Sequence, residues 1–91
     1  STDELTRAIE YAASLRVQEY KQYHGQLTLP YLLGERAISL ERLGKWEEAL
    51  RDWDKAIEHC REFRKQDEAA FKLGRLATEI QRGTISLKDA I

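Results

Sequence analysis

The chain has 91 residues, of which 42% are apolar and 34% charged, and its 15 Lys and Arg against 16 Asp and Glu leave a formal net charge of -1. This is enough apolar material for one small core, and the balance of charge gives no basis for a nucleic-acid binder or an anionic-membrane binder. No apolar run approaches the length of a bilayer span, and the polar, acidic start Ser1-Thr2-Asp3-Glu4 is not a secretory leader.

The predicted elements are all helices. A first helix is expected from about Thr2 to His24, with Ser1 and Glu4 as a capping box and Gly25 as its stop. Its apolar stripe is Leu5, Ala8, Ile9, Ala12 and Leu15, continued by Tyr20 and Tyr23. A second helix is expected over 29–43, capped by Thr28, with Pro30 in its first turn, where a missing N–H costs nothing. Leu33, Ala37 and Leu40 form its inner stripe, and Gly44 ends it. The third, over 45–65, has the cleanest pattern: Trp46, Ala49, Leu50, Trp53, Ala56, Ile57, Cys60 and Phe63. The fourth, over 67–82, is expected to bury Ala69, Ala70, Leu73, Leu76, Ala77 and Ile80, with Gly83 as its stop. Ser86 and Asp89 then suggest a capping box that opens a fifth helix one turn before Ile91. The absence of methionine leaves two readings, a removed initiator or a piece of a longer protein, and this unfinished helix favours the second.

Acids and bases balance within each segment, apart from one extra acid in residues 1–26. Spacings such as Glu47–Arg51 on the third helix predict a solvated face laced with local ion pairs, each contributing roughly 0.2–0.5 kcal/mol. The single cysteine, Cys60, has no internal disulfide partner, and a reducing, cytoplasmic-type compartment is the expectation.

A shift of 40 residues lays Leu33 on Leu73, Gly34 on Gly74, Ala37 on Ala77 and Arg42 on Arg82. The repeated unit is a helix, a tight turn and a second helix. Small residues at Ala37, Ala49 and Ala56 would let two antiparallel helices approach closely, with Trp53 and Leu40 filling the space beside them.

Over Pro30 to Arg61 this pattern resembles the tetratricopeptide repeat. The resemblance rests on Leu33, Ala37, Leu40, the turn Gly44-Lys45-Trp46, then Glu48-Ala49-Leu50, Trp53 and Ala56-Ile57. Arg61 stands where that family usually has a proline, and the longer unit is more similar to the repeats of kinesin light chains. Residues 67–91 resemble the start of a second unit, and residues 1–24 the second helix of a preceding one. The resemblance implies an all-α fold of stacked hairpins, either a short right-handed superhelix or a four-helix bundle. A plain bundle of the microtubule-interacting-and-trafficking type is the competing architecture. The family's matched positions are structural rather than catalytic, and the implied function is binding a peptide or partner helix.

The residues themselves support no catalytic constellation. His24, His59 and Cys60 have no metal-ligand spacing, Ser14, Ser39 and Ser86 have no histidine near them in sequence, and the glycines are isolated, so no Gly-rich phosphate loop is present. No cofactor is expected. The candidate partner-binding residues are Tyr20, Tyr23 and Tyr31, which combine contact area with a polar tip, and Arg36 and Arg75, which could present bases along the first helices of the units. A clamp for a C-terminal carboxylate, known in some tetratricopeptide domains, is disfavoured, because Ile38 stands at its asparagine position and the chain has no asparagine. The leading expectation is a protein-interaction module. Homo-oligomerisation, or a regulatory role within a larger enzyme or transcription regulator, is the alternative.

Overall fold

The computed structural model describes residues 2–14 and 29–83, and it is all-α. Helix α1 is Thr2–Ser14, α2 is Leu29–Arg42, α3 is Trp46–Phe63 and α4 is Glu68–Arg82, with a 3-10 turn at Lys65–Asp67 leading into α4. Among the described residues there is no strand. The rest of the expected first helix, its Gly25 stop, the Thr28 cap and the expected fifth helix at Ser86 lie outside the described residues.

The breaks between helices have local causes. Gly44, at φ 76°, turns the chain between α2 and α3, and the Lys45 N–H closes the turn onto the Leu40 carbonyl at 2.9 Å. Helix α3 ends at Phe63, two residues before the expected stop, because Arg64 leaves the helical region with φ -144° and ψ 64°, although its N–H still completes the last helical bond to the Cys60 carbonyl. Gly83, at φ 88°, caps α4, its N–H reaching the carbonyls of Glu79 and Ile80.

Helices α2 and α3 form the central antiparallel hairpin, α1 packs on α2, and α4 packs on α3. Ala37 of α2 and Ala49 and Ala56 of α3 have no solvent exposure, and such small side chains allow the two helices to pack closely. Leu32, Leu33, Leu40, Trp53, Ile57 and Cys60 fill the core around them, and α1 contributes Ile9 and Ala12. Leu5 and Ala8 of α1 pack half-buried at its edge.

Helix α4 is rotated from the expected orientation. It buries Phe71 and Thr78 and faces Gly74 to Trp53, while Ala69, Ala70 and Ala77 are exposed and Leu73 is 66% exposed. Leu33 and Leu73, equated by the 40-residue shift, therefore have opposite environments. The glycines of that shift do correspond: a Cβ on Gly34 or on Gly74 would meet the Trp53 ring. The large indole takes the space that two missing side chains leave, and this sets the face α4 presents.

Candidate functional site

Two cavities share a border and form one groove. Helices α1 and α3 flank it, running parallel, and α2 lies beneath, antiparallel to both, so that side chains of α1 and α2 together make its floor. The first part, about 380 Å³, has an apolar floor of Ile9, Ala13, Leu29 and Leu33, and its α3 wall carries Glu58, His59 and Glu62. The second, about 330 Å³, has Thr2 and Thr6 of α1 on one side and Lys45, Glu48 and Arg51 on the other. Arg36 and Lys55 line both.

Beneath the groove lies a buried ion pair. Arg36 of α2 donates from Nε to Asp52 Oδ2 at 2.7 Å and from Nη2 to Oδ1 at 2.8 Å, and its Nη1 donates to Thr6 Oγ1 of α1 at 3.2 Å. Asp52 is 3% exposed. Such a two-pronged pair is among the stronger polar contacts available to a protein, and here it ties three helices together. The hydrogen bond to Asp52 raises the Arg36 pKa further above its ordinary value, against the opposing effect of burial. The local charge pattern gives no sign of Asp52 as a buried residue. The available signal is that Arg36 and Asp52 each directly precede a core residue, Ala37 and Trp53.

The other sequence-derived candidates are dispersed. Tyr20 and Tyr23 lie outside the described residues. Tyr31 sits on the α4 side of α2, edge-on to Phe71 at 5.6 Å between ring centroids, with the Arg64 guanidinium 5.8 Å from its ring centre. Arg75 donates to Asp54 Oδ1 of α3 at 2.6 Å and also pairs with Glu79. Arg36 is engaged as described. Among the described candidates the structure thus places Arg36 alone in the groove, and places Tyr31 and Arg75 in contacts that join α4 to the hairpin.

The expected local pairing on α3 is corrected as well. Glu47 pairs with Arg82 of α4 rather than with Arg51, and Arg61 reaches Glu68 at 3.0 Å, so the ion pairs on this side bridge elements instead of lacing one face. Among the described residues no group of three or more His, Cys, Asp or Glu is placed to hold a metal ion, and no helix is long and apolar enough to cross a membrane. Burial lowers the pKa of His59, partly offset by Glu62, so the ring on the groove wall favours its neutral form. Comparison with known proteins finds no matching family model, no matching curated protein and no matching solved structure.

Proposed function

We propose that the chain is a non-catalytic protein-interaction module of tetratricopeptide-like design, and that the groove between α1 and α3 receives a peptide or a partner helix. The observation that carries this reading is the groove itself: an apolar floor from Ile9, Ala13, Leu29 and Leu33 beneath a charged rim. An apolar strip flanked by charges suits an amphipathic segment, whose side chains fill the floor while its polar groups meet the rim.

Self-association is the second reading, and a different observation favours it. Ala69, Ala70, Leu73 and Ala77 leave an exposed, largely apolar face on α4.

Light scattering from micromolar to millimolar concentration, together with selection of a random displayed dodecapeptide library on the immobilised chain, separates the two. An unchanging monomer that enriches a family of peptides supports the interaction module. Concentration-dependent dimerisation abolished by Leu73→Glu, with no peptide enriched, would replace it with the assembly reading.

A further inference from the structure

The strongest feature beyond the groove's shape is the placement of its bases. Arg36, Arg61, Arg64, Lys72, Arg75 and Arg82 are each ion-paired. Among the described residues Arg7, Arg42, Lys45, Arg51, Lys55 and Lys65 are not, and three of these, Lys45, Arg51 and Lys55, line one cleft. Arg36 is neutralised by Asp52. With Glu48 as the remaining acid, the cleft carries a local excess of positive charge in a chain whose net charge is -1. Like charges facing one cleft repel one another and add nothing to the fold, whereas an anionic occupant would relieve that repulsion.

The charge changes along the groove. Beyond Lys55 the α3 wall continues as Glu58 and Glu62, over the apolar floor. Lys45 to Lys55 spans roughly 15 Å of α3, and Lys55 to Glu62 roughly 10 Å more. An extended peptide of about seven or eight residues covers that length.

We infer that the groove takes an acidic peptide segment in a fixed direction, its carboxylates over Lys45, Arg51 and Lys55 and an apolar anchor on Ile9, Ala13, Leu29 and Leu33. The inference rests on the interaction-module reading and gives its partner a chemistry. A protein segment fits better than a nucleic acid, because Glu48 interrupts the cations and Glu58 and Glu62 follow them along the groove, and these acids would repel a continuous phosphate backbone. The Thr2 and Thr6 hydroxyls on the facing wall add donors suited to a carboxylate or a peptide carbonyl. The site is on the α1 side of α2. Ile38, two residues from Arg36 and so about 200° around the helix, lies on the opposite side.

The test starts from the same dodecapeptide library selected on the full 91-residue chain. The enriched peptides are expected to carry a cluster of Asp and Glu followed or preceded, in one constant order, by large apolar residues. Synthetic versions should lose at least about tenfold in affinity for K45E/R51E/K55E, and change within about twofold for R7E/R42E/K65E, which alters net charge equally at residues that line neither part of the groove. The six residues lie on the surface or rim, and matching melting curves confirm both variants as folded. Enrichment of neutral or basic peptides, equal losses in the two variants, or tighter binding of a mixed oligonucleotide of about 20 nucleotides at this cleft would each overturn the inference and leave the interaction module standing. Failure to enrich any peptide overturns both.

Discussion

The indole N–H of Trp53 donates to Oγ1 of Thr78 at 2.8 Å, joining the centre of α3 to α4 in a site closed to solvent. The Thr78 hydroxyl in turn donates to the Gly74 carbonyl at 3.3 Å, so one side chain satisfies the indole and is itself satisfied. Thr78→Val keeps the shape and removes the acceptor, stranding a buried N–H at a cost of about 1–3 kcal/mol. Thr78→Ser keeps the bond and gives up one methyl group, about 0.8 kcal/mol. Urea unfolding followed by tryptophan fluorescence should rank the three chains Thr, Ser, Val in falling stability.

Gly74 tests the same contact from the other side. An alanine Cβ there would lie 2.5 and 2.6 Å from ring atoms of Trp53. Alanine is the better helix former by roughly 0.5–1 kcal/mol, but overpacking against a buried ring costs typically about 1–3 kcal/mol. Gly74→Ala is therefore expected to destabilise. Gly34→Ala places its Cβ 3.1 Å from Phe71 and Trp53, a milder conflict that propensity largely offsets. Thermal midpoints should fall clearly for the first variant and stay within a few degrees for the second, about 2 kcal/mol corresponding to roughly 10 °C in a domain of this size.

These two residues also show where sequence reasoning stops. The α2–α3 hairpin is legible because its apolar stripes are unambiguous and Gly44 punctuates them; Ala37, Ala49, Trp53, Ala56 and Cys60 are all buried where the stripe puts them. Helix α4 carries two sets at helical spacing, Ala69, Ala70, Leu73 and Ala77 on one face and Phe71, Gly74 and Thr78 on another. Apolarity alone selects the first. The structure selects the second, because the Trp53 ring needs a neighbour without a Cβ and an acceptor for its N–H, and neither requirement belongs to α4's own sequence. The groove was hidden for a similar reason: its key acid, Asp52, is paired with a base 16 residues earlier, and no short spacing reveals it.

The Arg36–Asp52 pair is nearly desolvated on its acid side, with Asp52 3% exposed, whereas the Arg36 side chain keeps 18%. Asp52→Ala leaves the guanidinium in place without its partner. Removing one member of a buried pair costs about 3–5 kcal/mol, and the residual exposure of Arg36 brings the expected loss to about 2–4 kcal/mol. The double variant R36M/D52L replaces both charges with apolar groups of similar reach, and should be less destabilised than the sum of R36M and D52L by about 1–3 kcal/mol. Additive losses in denaturant titrations would show the two groups acting independently.

Cys60 is fully buried on α3, and burial, with a further contribution from Asp67, pushes its thiol up to about 11. At pH 8 only about one thiol in a thousand is then ionised, and the sulfur has no open approach. The folded chain should react with Ellman's reagent far more slowly than a free thiol does. Urea above the unfolding midpoint should restore the full rate. Rapid labelling without denaturant would show that the α2–α3 hairpin opens readily.

His59 makes stability depend on pH in a defined direction. Burial lowers its pKa from an ordinary 6.5, with Arg64 acting the same way and Glu62 opposing. Between the folded value and 6.5 the unfolded chain holds a proton that the folded chain does not, so acidification favours unfolding. The contribution of the neutral ring is fully present above pH 6.5, declines as the pH drops through that value, and levels off below the folded pKa. His59→Gln has no such proton to gain. Melting curves recorded from pH 7.5 to 5.5 should therefore fall more steeply for the parent chain than for the variant. The other titrating groups are common to both proteins, so the difference between the curves isolates His59, and parallel curves would mean that it titrates alike in the folded and unfolded states.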